Sequence, residues 1–183
     1  SFEEKTAEWQ KTLQPLLDED PSALKLSGKY ISSDDVKIIC NYPGVKTVRV
    51  LDLADNQIND EALPVLFESD NLAQLEELYL GINFLIGGGL TDIACSSQIK
   101  LLNLKKLVIS DNRLTDASVA DFIRSKNFSN LEYLDVGWNE VGNETAKALA
   151  EATSFSGLKT LILERSYIEL EGLKEMVQGD LMD

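Results

Sequence analysis

A strand-like phrase, apolar-x-x-apolar-x-apolar-x-x-Asn-x-apolar, returns along the chain at a nearly constant interval. Four copies are complete: Val48-Leu51-Leu53-Asn56-Ile58, Leu75-Leu78-Leu80-Asn83-Leu85, Leu104-Leu107-Ile109-Asn112-Leu114 and Leu131-Leu134-Val136-Asn139-Val141. Degenerate copies flank them. The first carries Leu24, Leu26 and Ile31 with Lys29 in place of Asn, and the last reads Leu158-Leu161-Leu163-Ile168 with Ser166 in that place. Starts at 21, 48, 75, 104, 131 and 158 give periods of 27, 27, 29, 27 and 27 residues, the sequence signature of a solenoid.

Within each unit the apolar period changes. Counting from the unit's start, positions 4 and 6 point inward from a short strand. Position 16 (Val36, Leu63, Leu90, Val119, Ala146, Leu173), position 19 (Ile39, Leu66, Ile93, Phe122, Leu149, Met176) and position 20 (Cys40, Phe67, Ala94, Ile123, Ala150, Val177) form one face of a helix. Helix starts are expected at Ser32 or Ser33, Asn59, Thr115 or Asp116, and Gly142 or Asn143. Val45, Leu72, Phe128, Phe155 and Met182 close the units at position 25. The two extra residues near Ser96, Ser97 and Gln98 read as a loop insertion that leaves the strand register unchanged. Each Asn at position 9 offers an amide that can pair with buried peptide groups of its own turn and of the neighbouring unit.

Residues 1–20 precede the repeats, with Phe2, Trp9, Leu13, Leu16 and Leu17 at helical intervals and Ser1 and Glu4 in capping-box spacing. They are expected to form a helix capping the open end of the core. A membrane-surface or partner helix is the alternative, but the polar face is acidic and mixed rather than basic. Residues 21–183 form the six repeats, with the last helix as the second cap or the whole as a piece of a longer chain.

Composition narrows the function classes. The chain has 183 residues, 17 basic and 31 acidic, for a formal charge of −14, which argues against nucleic-acid or anionic-membrane partners. Two cysteines, Cys40 and Cys95, are too few for disulfide-rich end caps and point to a reducing compartment, with Cys40 in the apolar column and no disulfide expected. The sequons at Asn127 and Asn143 are near chance in a chain rich in Asn, Ser and Thr.

These repeats resemble the leucine-rich repeat superfamily, and the 27 to 29 residue period with a helix in every unit resembles its ribonuclease-inhibitor-like class. The resemblance covers residues 21–183. It implies an α/β solenoid, a right-handed horseshoe with a concave parallel sheet and convex helices, an intracellular (cytoplasmic) setting and protein recognition as the usual activity. The class includes nuclease inhibitors, sensor-domain repeats, the Ran GTPase-activating protein and repeat proteins that bacteria deliver into host cells.

Catalytic chemistry finds little support. The absence of histidine removes Ser-His-Asp and Cys-His arrangements, the common zinc sites and the usual neutral-pH base, so neither metal nor cofactor is expected. Gly87-Gly88-Gly89 lacks the following Lys-Ser/Thr of a phosphate loop and reads as a flexible turn. The informative surface is the outward set of strand positions. Tyr79, Ile82, Val108, Tyr133, Trp138 and Ile162 have no inward role, Phe84 and Arg113 lie along one rim, and Asp52, Lys106, Asp135 and Arg165 add charge. Such apolar and aromatic side chains either pack across neighbouring strands or mark an interaction site. Positions 1 to 11 of all six repeats carry 8 basic and 9 acidic residues, so this face is nearly neutral while the helices hold the acid.

The expected function is therefore a non-catalytic, monomeric recognition module binding a protein on its concave face, with these twelve residues as the contact set. The alternatives are a GTPase-activating protein resembling the Ran GTPase-activating protein, and a sensor or structural repeat segment of a larger or host-delivered bacterial protein.

Overall fold

The computed structural model describes residues 1–153 and 155–179. Six strands, β1 (Ala23–Lys25), β2 (Val50–Asp52), β3 (Glu77–Tyr79), β4 (Lys106–Val108), β5 (Tyr133–Asp135) and β6 (Thr160–Ile162), pair in chain order as one sheet. Every pairing is parallel, and each strand residue sits opposite its counterpart in the next repeat: Leu24 opposite Leu51, Leu51 opposite Leu78, and on to Leu134 opposite Leu161. The 29-residue unit keeps this register, with Glu77 opposite Lys106. Its insertion is absorbed after the helix, where both Ile99 and Leu101 are buried. Leu101 takes the closing position: its carbonyl accepts from Leu104 as Leu72 accepts from Leu75 and Phe128 from Leu131.

Among the described residues, α1 (Phe2–Glu19) precedes the units, and α2 (Ser33–Asn41), α3 (Ala62–Phe67), α4 (Gly88–Cys95), α5 (Asp116–Arg124), α6 (Asn143–Glu151) and α7 (Leu170–Gln178) complete them. Strands pack about 4.8 Å apart whereas helices need about 8–10 Å, so a stack of strand-helix units bends with its sheet on the inside. The predicted columns fill the core between these layers, from Leu24, Leu26, Ile31 and Val36 to Leu134, Val136, Val141 and Leu149. Phe122 stacks on Phe128 at 4.3 Å and lies 6.3 Å from Phe155, while Phe67 meets the edge of Phe128 at 5.7 Å. Phe67 and Phe128 belong to repeats separated by the one that carries only Ala94 in the Phe67 column.

Two expectations are corrected here. The second repeat's helix begins at Ala62 rather than directly after Asn59, because residues 60 and 61 form a turn whose first hydrogen bond runs from the Ala62 N–H to the Asn59 carbonyl. In the last repeat the helix columns are not buried: Leu173 is 49% and Val177 68% exposed, because no further repeat among the described residues packs on them. Met182 of the closing column lies outside the described residues.

The asparagine ladder forms as the sequence predicts. Asn56, Asn83, Asn112 and Asn139 each donate from Nδ2 to three carbonyls, two in their own turn and one in the preceding repeat. Each Oδ1 accepts a backbone N–H of the preceding repeat, from Ile31, Ile58, Leu85 and Leu114 respectively. Three of the four are buried, and Asn112 is half-buried.

A second polar column, at position 13, joins the repeats on the way into the helices. Asp60 accepts from the N–H groups of Ile86, Gly87 and Gly89, capping α4 of the following repeat. Asp116 does the same for Gly142, Glu144 and Thr145 at the start of α6, and Asn143 accepts from Glu169 ahead of α7. Burial alone would raise the Asp116 pKa, but the bonds from Thr145, Gly142 and Glu144 hold it below the usual carboxylate range. Gly87 occupies this column in the third repeat and cannot reach forward, and α5 is capped within its own repeat, by Thr115 accepting from Ser118. The triple glycine is thus a clamped helix start rather than a flexible turn. A Cβ on Gly89 would meet the Asp60 carbonyl oxygen at 2.3 Å, and Gly87 has φ +125°.

Ahead of the repeats, α1 opens on the predicted capping box between Ser1 and Glu4. Its Leu13 and Leu17 join the core cluster. Cys40 is buried and Cys95 exposed, both as free thiols, and burial pushes the Cys40 pKa up to about 12.

Candidate functional site

The face of the sheet opposite the helices is built by positions 3, 5 and 8 of each repeat. Strand alternation turns positions 3 and 5 outward while Leu at position 4 goes to the core. Position 8 follows from the turn that leaves the strand. Its N–H donates to the position-7 carbonyl of the next repeat, as in Ile82 to Ser110, Asp111 to Gly137 and Trp138 to Glu164. The turn takes the left-handed region in every repeat: Gly28, Asp55, Ile82, Asp111, Trp138 and Arg165 have φ between +52° and +64°, Arg165 even without a following repeat among the described residues to accept its N–H. Gly and Asp tolerate that conformation, whereas a β-branched Ile or a bulky Trp is strained there.

Two clusters form on this face. Lys106 extends between two rings, its Nζ 5.1 Å from the centre of Tyr79 and 4.6 Å from that of Tyr133. The Tyr79 hydroxyl donates to Glu77 Oε2 at 2.6 Å. Burial and that hydrogen bond raise the Tyr79 pKa, and the Tyr79 hydroxyl beside Lys106 holds the ammonium above the usual lysine range. Toward β6, the Arg165 guanidinium lies 4.6 Å over the Trp138 ring. Both arrangements are cation–π contacts, worth about 0.5–2 kcal/mol each, that hold these side chains in fixed positions on the open face.

An alternating ion-pair row borders the strands at position 2. Arg49 contacts Glu76 at 2.6 Å, Lys105 contacts Glu76 at 3.2 Å, and Lys159 contacts Glu132 at 2.7 Å. Lys105 and then Arg49 hold the Glu76 carboxyl below its usual range.

The sequence-predicted contact residues divide into groups. Tyr79, Lys106 and Tyr133 come together, as do Trp138 and Arg165, with Val108 and Ile162 half-buried between and beside them on β4 and β6. Asp52 and Asp135 face outward but are partly committed to the fold, accepting from the N–H groups of Ala54 and Gly137 two residues on. Ile82, Phe84 and Trp138 are exposed at 53%, 53% and 47%. Phe84 and Arg113 sit on the loops beyond the strands, where their N–H groups bond the preceding repeat at Ile58 and Leu85. Tyr30, 80% exposed, joins Phe84 and Gln57 around a recess of about 240 Å³; the two rings share position 10, two repeats apart, and so lie along one rim. Glu77 was also outside the predicted set, and only the structure shows that it fixes the Tyr79 hydroxyl.

The Leucine Rich repeat family matches residues 46–64, 100–122 and 129–150. No curated protein matches the chain in sequence. Among solved structures, an internalin of Listeria monocytogenes is 20% identical over 87% of this chain and 46% of its own, with a TM-score of 0.51. The Arabidopsis receptor kinase HAESA, solved in complex with a peptide hormone and a co-receptor, is 25% identical over 86% of this chain and 24% of its own, with a TM-score of 0.52. A leucine-rich-repeat protein of Leptospira interrogans is 19% identical over 86% and 34%, also at 0.52. The chain spans less than half the length of each.

Proposed function

We propose that the chain, an α/β solenoid of leucine-rich repeats, is a non-catalytic recognition module that holds a protein partner against its open sheet face. The observation that carries this reading is at position 8. Ile82 and Trp138 occupy a left-handed site where Gly or Asp is easier, yet both project into solvent and contribute nothing to the core. Strain at an exposed aromatic or β-branched side chain suits a residue kept for contact. The preorganised Tyr79-Lys106-Tyr133 and Trp138-Arg165 clusters supply anchors beside it, and Asp135 and Arg113 supply polar specificity.

The fold-level comparisons support a binding role as the working assignment, since the HAESA structure is a complex with a peptide hormone and a co-receptor. The 27–29 residue spacing and the helix in each repeat support placement in the ribonuclease-inhibitor-like class, and the two free thiols suit a reducing, intracellular setting. An acting monomer is the simplest state, and the charge of −14 makes a protein a better partner than a nucleic acid or an anionic membrane.

Parallel baits test the assignment: the unaltered chain, a Tyr133→Ala/Trp138→Ala variant and a Glu151→Lys variant on the helix side. A protein retained by the first and third but not the second supports the sheet face. A partner lost only with Glu151→Lys places recognition on the helices and overturns the reading. Stimulated GTP hydrolysis by a small GTPase would favour the catalytic alternative.

A further inference from the structure

We propose that the open edge of β1 is a second docking site, which takes an extended acidic peptide as an added strand. Among the described residues, β1 ends the sheet and pairs with β2 alone. The Ser22 carbonyl and the Leu26 N–H bond toward β2. Alternate residues of a parallel strand bond to opposite sides, so Ala23 and Lys25 turn their peptide groups away from the sheet. An edge of this kind is a template for another strand.

Beside this edge runs a groove of about 590 Å³ between α1 and the first repeat, within the range of ligand-binding clefts. Trp9, Pro15, Leu16 and Leu26 give it an apolar wall, and Lys5, Lys25 and Lys29 line it with positive charge. Glu8 is its single lining carboxylate. Lys5 is engaged by Asp35 at 2.9 Å, but Lys25 and Lys29 make no ion pair among the described residues. Asp20, the acidic neighbour of Lys25, accepts from the Ser22 hydroxyl and N–H and also draws on the Ala23 N–H and the charge of Lys25, so the edge offers chiefly the Ala23 carbonyl and the Lys25 peptide groups. Two cations without a close ion pair among the described residues, at the edge of a chain carrying 31 acidic residues against 17 basic, favour a carboxylate-bearing ligand. A strand alternates its faces, so the fitting sequence alternates apolar residues against Trp9 and Leu16 with carboxylates toward Lys25 and Lys29.

The test uses an acetylated and amidated heptapeptide of alternating glutamate and valine, followed by Trp9 emission in a Trp138→Phe background, where Trp9 is the lone tryptophan. A saturable emission change is expected, weakened about tenfold or more by Lys25→Glu/Lys29→Glu, two exposed positions whose change leaves the fold intact by circular dichroism. Of two peptide analogues, N-methylated on the valines or on the glutamates, only one should keep its affinity, because only one set of amides faces β1. No binding would mean that the lysines merely guard the edge, which overturns the proposal. Equal affinity of both analogues, or sodium dodecanoate binding as tightly as the peptide, overturns strand addition. Binding lost in Tyr133→Ala but kept in the lysine variant assigns the peptide to the sheet face and overturns it as well.

Discussion

The Trp9 indole N–H donates to Asp35 Oδ1 across 2.7 Å, tying α1 to the first turn of α2. Lys5 Nζ approaches the same oxygen at 2.9 Å, and Oδ2 accepts from the Ser32 N–H and hydroxyl. Burial alone would raise the Asp35 pKa, but the bonds from Ser32, Trp9 and Lys5 outweigh it and bring the value from 3.8 down to about 2. A depressed carboxylate contributes stability that is full above its unfolded pKa and is lost as pH falls through the folded one. In a Trp138→Phe background, Trp9 emission should therefore shift to the red between about pH 4 and pH 2. Asp35→Asn should abolish that step and cost on the order of 1–2 kcal/mol at neutral pH. An emission trace that is flat in acid, or unaltered by Asp35→Asn, would show that this carboxylate does not hold α1.

Asp116 is the cap of a helix that begins 27 residues after it. Its carboxylate serves three N–H groups of α6, whose own N-cap, Gly142, has no side chain to offer. Asp116→Ala should lower stability by about 1–2 kcal/mol, as loss of an N-cap does. The exposed Asp92 of α4 is the control: Asp92→Ala should change the urea midpoint little, since no hydrogen bond of its side chain is present among the described residues. Equal midpoints for the two variants would contradict the cross-repeat cap.

Apolar spacing made most of the fold legible. The six parallel strands, their register and the Asn56-Asn83-Asn112-Asn139 ladder follow from one repeating phrase, although each strand covers positions 3 to 5 and position 6, expected on the strand, lies just past its end. The caps were not, because Asp60 and Asp116 act on amides about 26 to 29 residues away and an isolated acidic residue carries no periodic signal. Exposure of Leu173 and Val177 was hidden for a different reason: their spacing matches buried columns, but burial of a repeat depends on its neighbour. On the sheet face, composition pointed to Tyr79, Lys106, Tyr133 and Trp138. The left-handed backbone beneath Ile82 and Trp138 left only a faint trace, in Gly28, Asp55 and Asp111 at the same position.

The asparagine ladder is graded. Asn139 is 5% exposed whereas Asn112 is half-buried, although both make the same four kinds of hydrogen bond. Replacing either by Leu strands three carbonyls and one N–H. Asn139→Leu should cost about 2–4 kcal/mol and Asn112→Leu about 1–3 kcal/mol, because water can reach part of the second site. Urea unfolding of the two variants in one buffer gives the order, and a larger loss at Asn112 would contradict the grading.

Ile82 offers the sharpest separation of stability from binding. Its φ of +55° forces a β-branched side chain into a region that costs L-residues roughly 1–2 kcal/mol and that Asn enters more readily. The side chain is 53% exposed, so its removal creates no cavity in the core. Ile82→Asn should thus raise stability by about 1 kcal/mol, a direction opposite to most substitutions of an apolar residue. If the sheet face binds the partner, the same change should weaken binding, since the apolar contact at the centre of the face is lost. Ile82→Val is the informative companion, because it keeps the β-branch and the strain while trimming one methylene, and should leave stability nearly unchanged. A destabilised Ile82→Asn would mean that the exposed side chain supports the fold, and the case for its retention as a contact residue would fall with it.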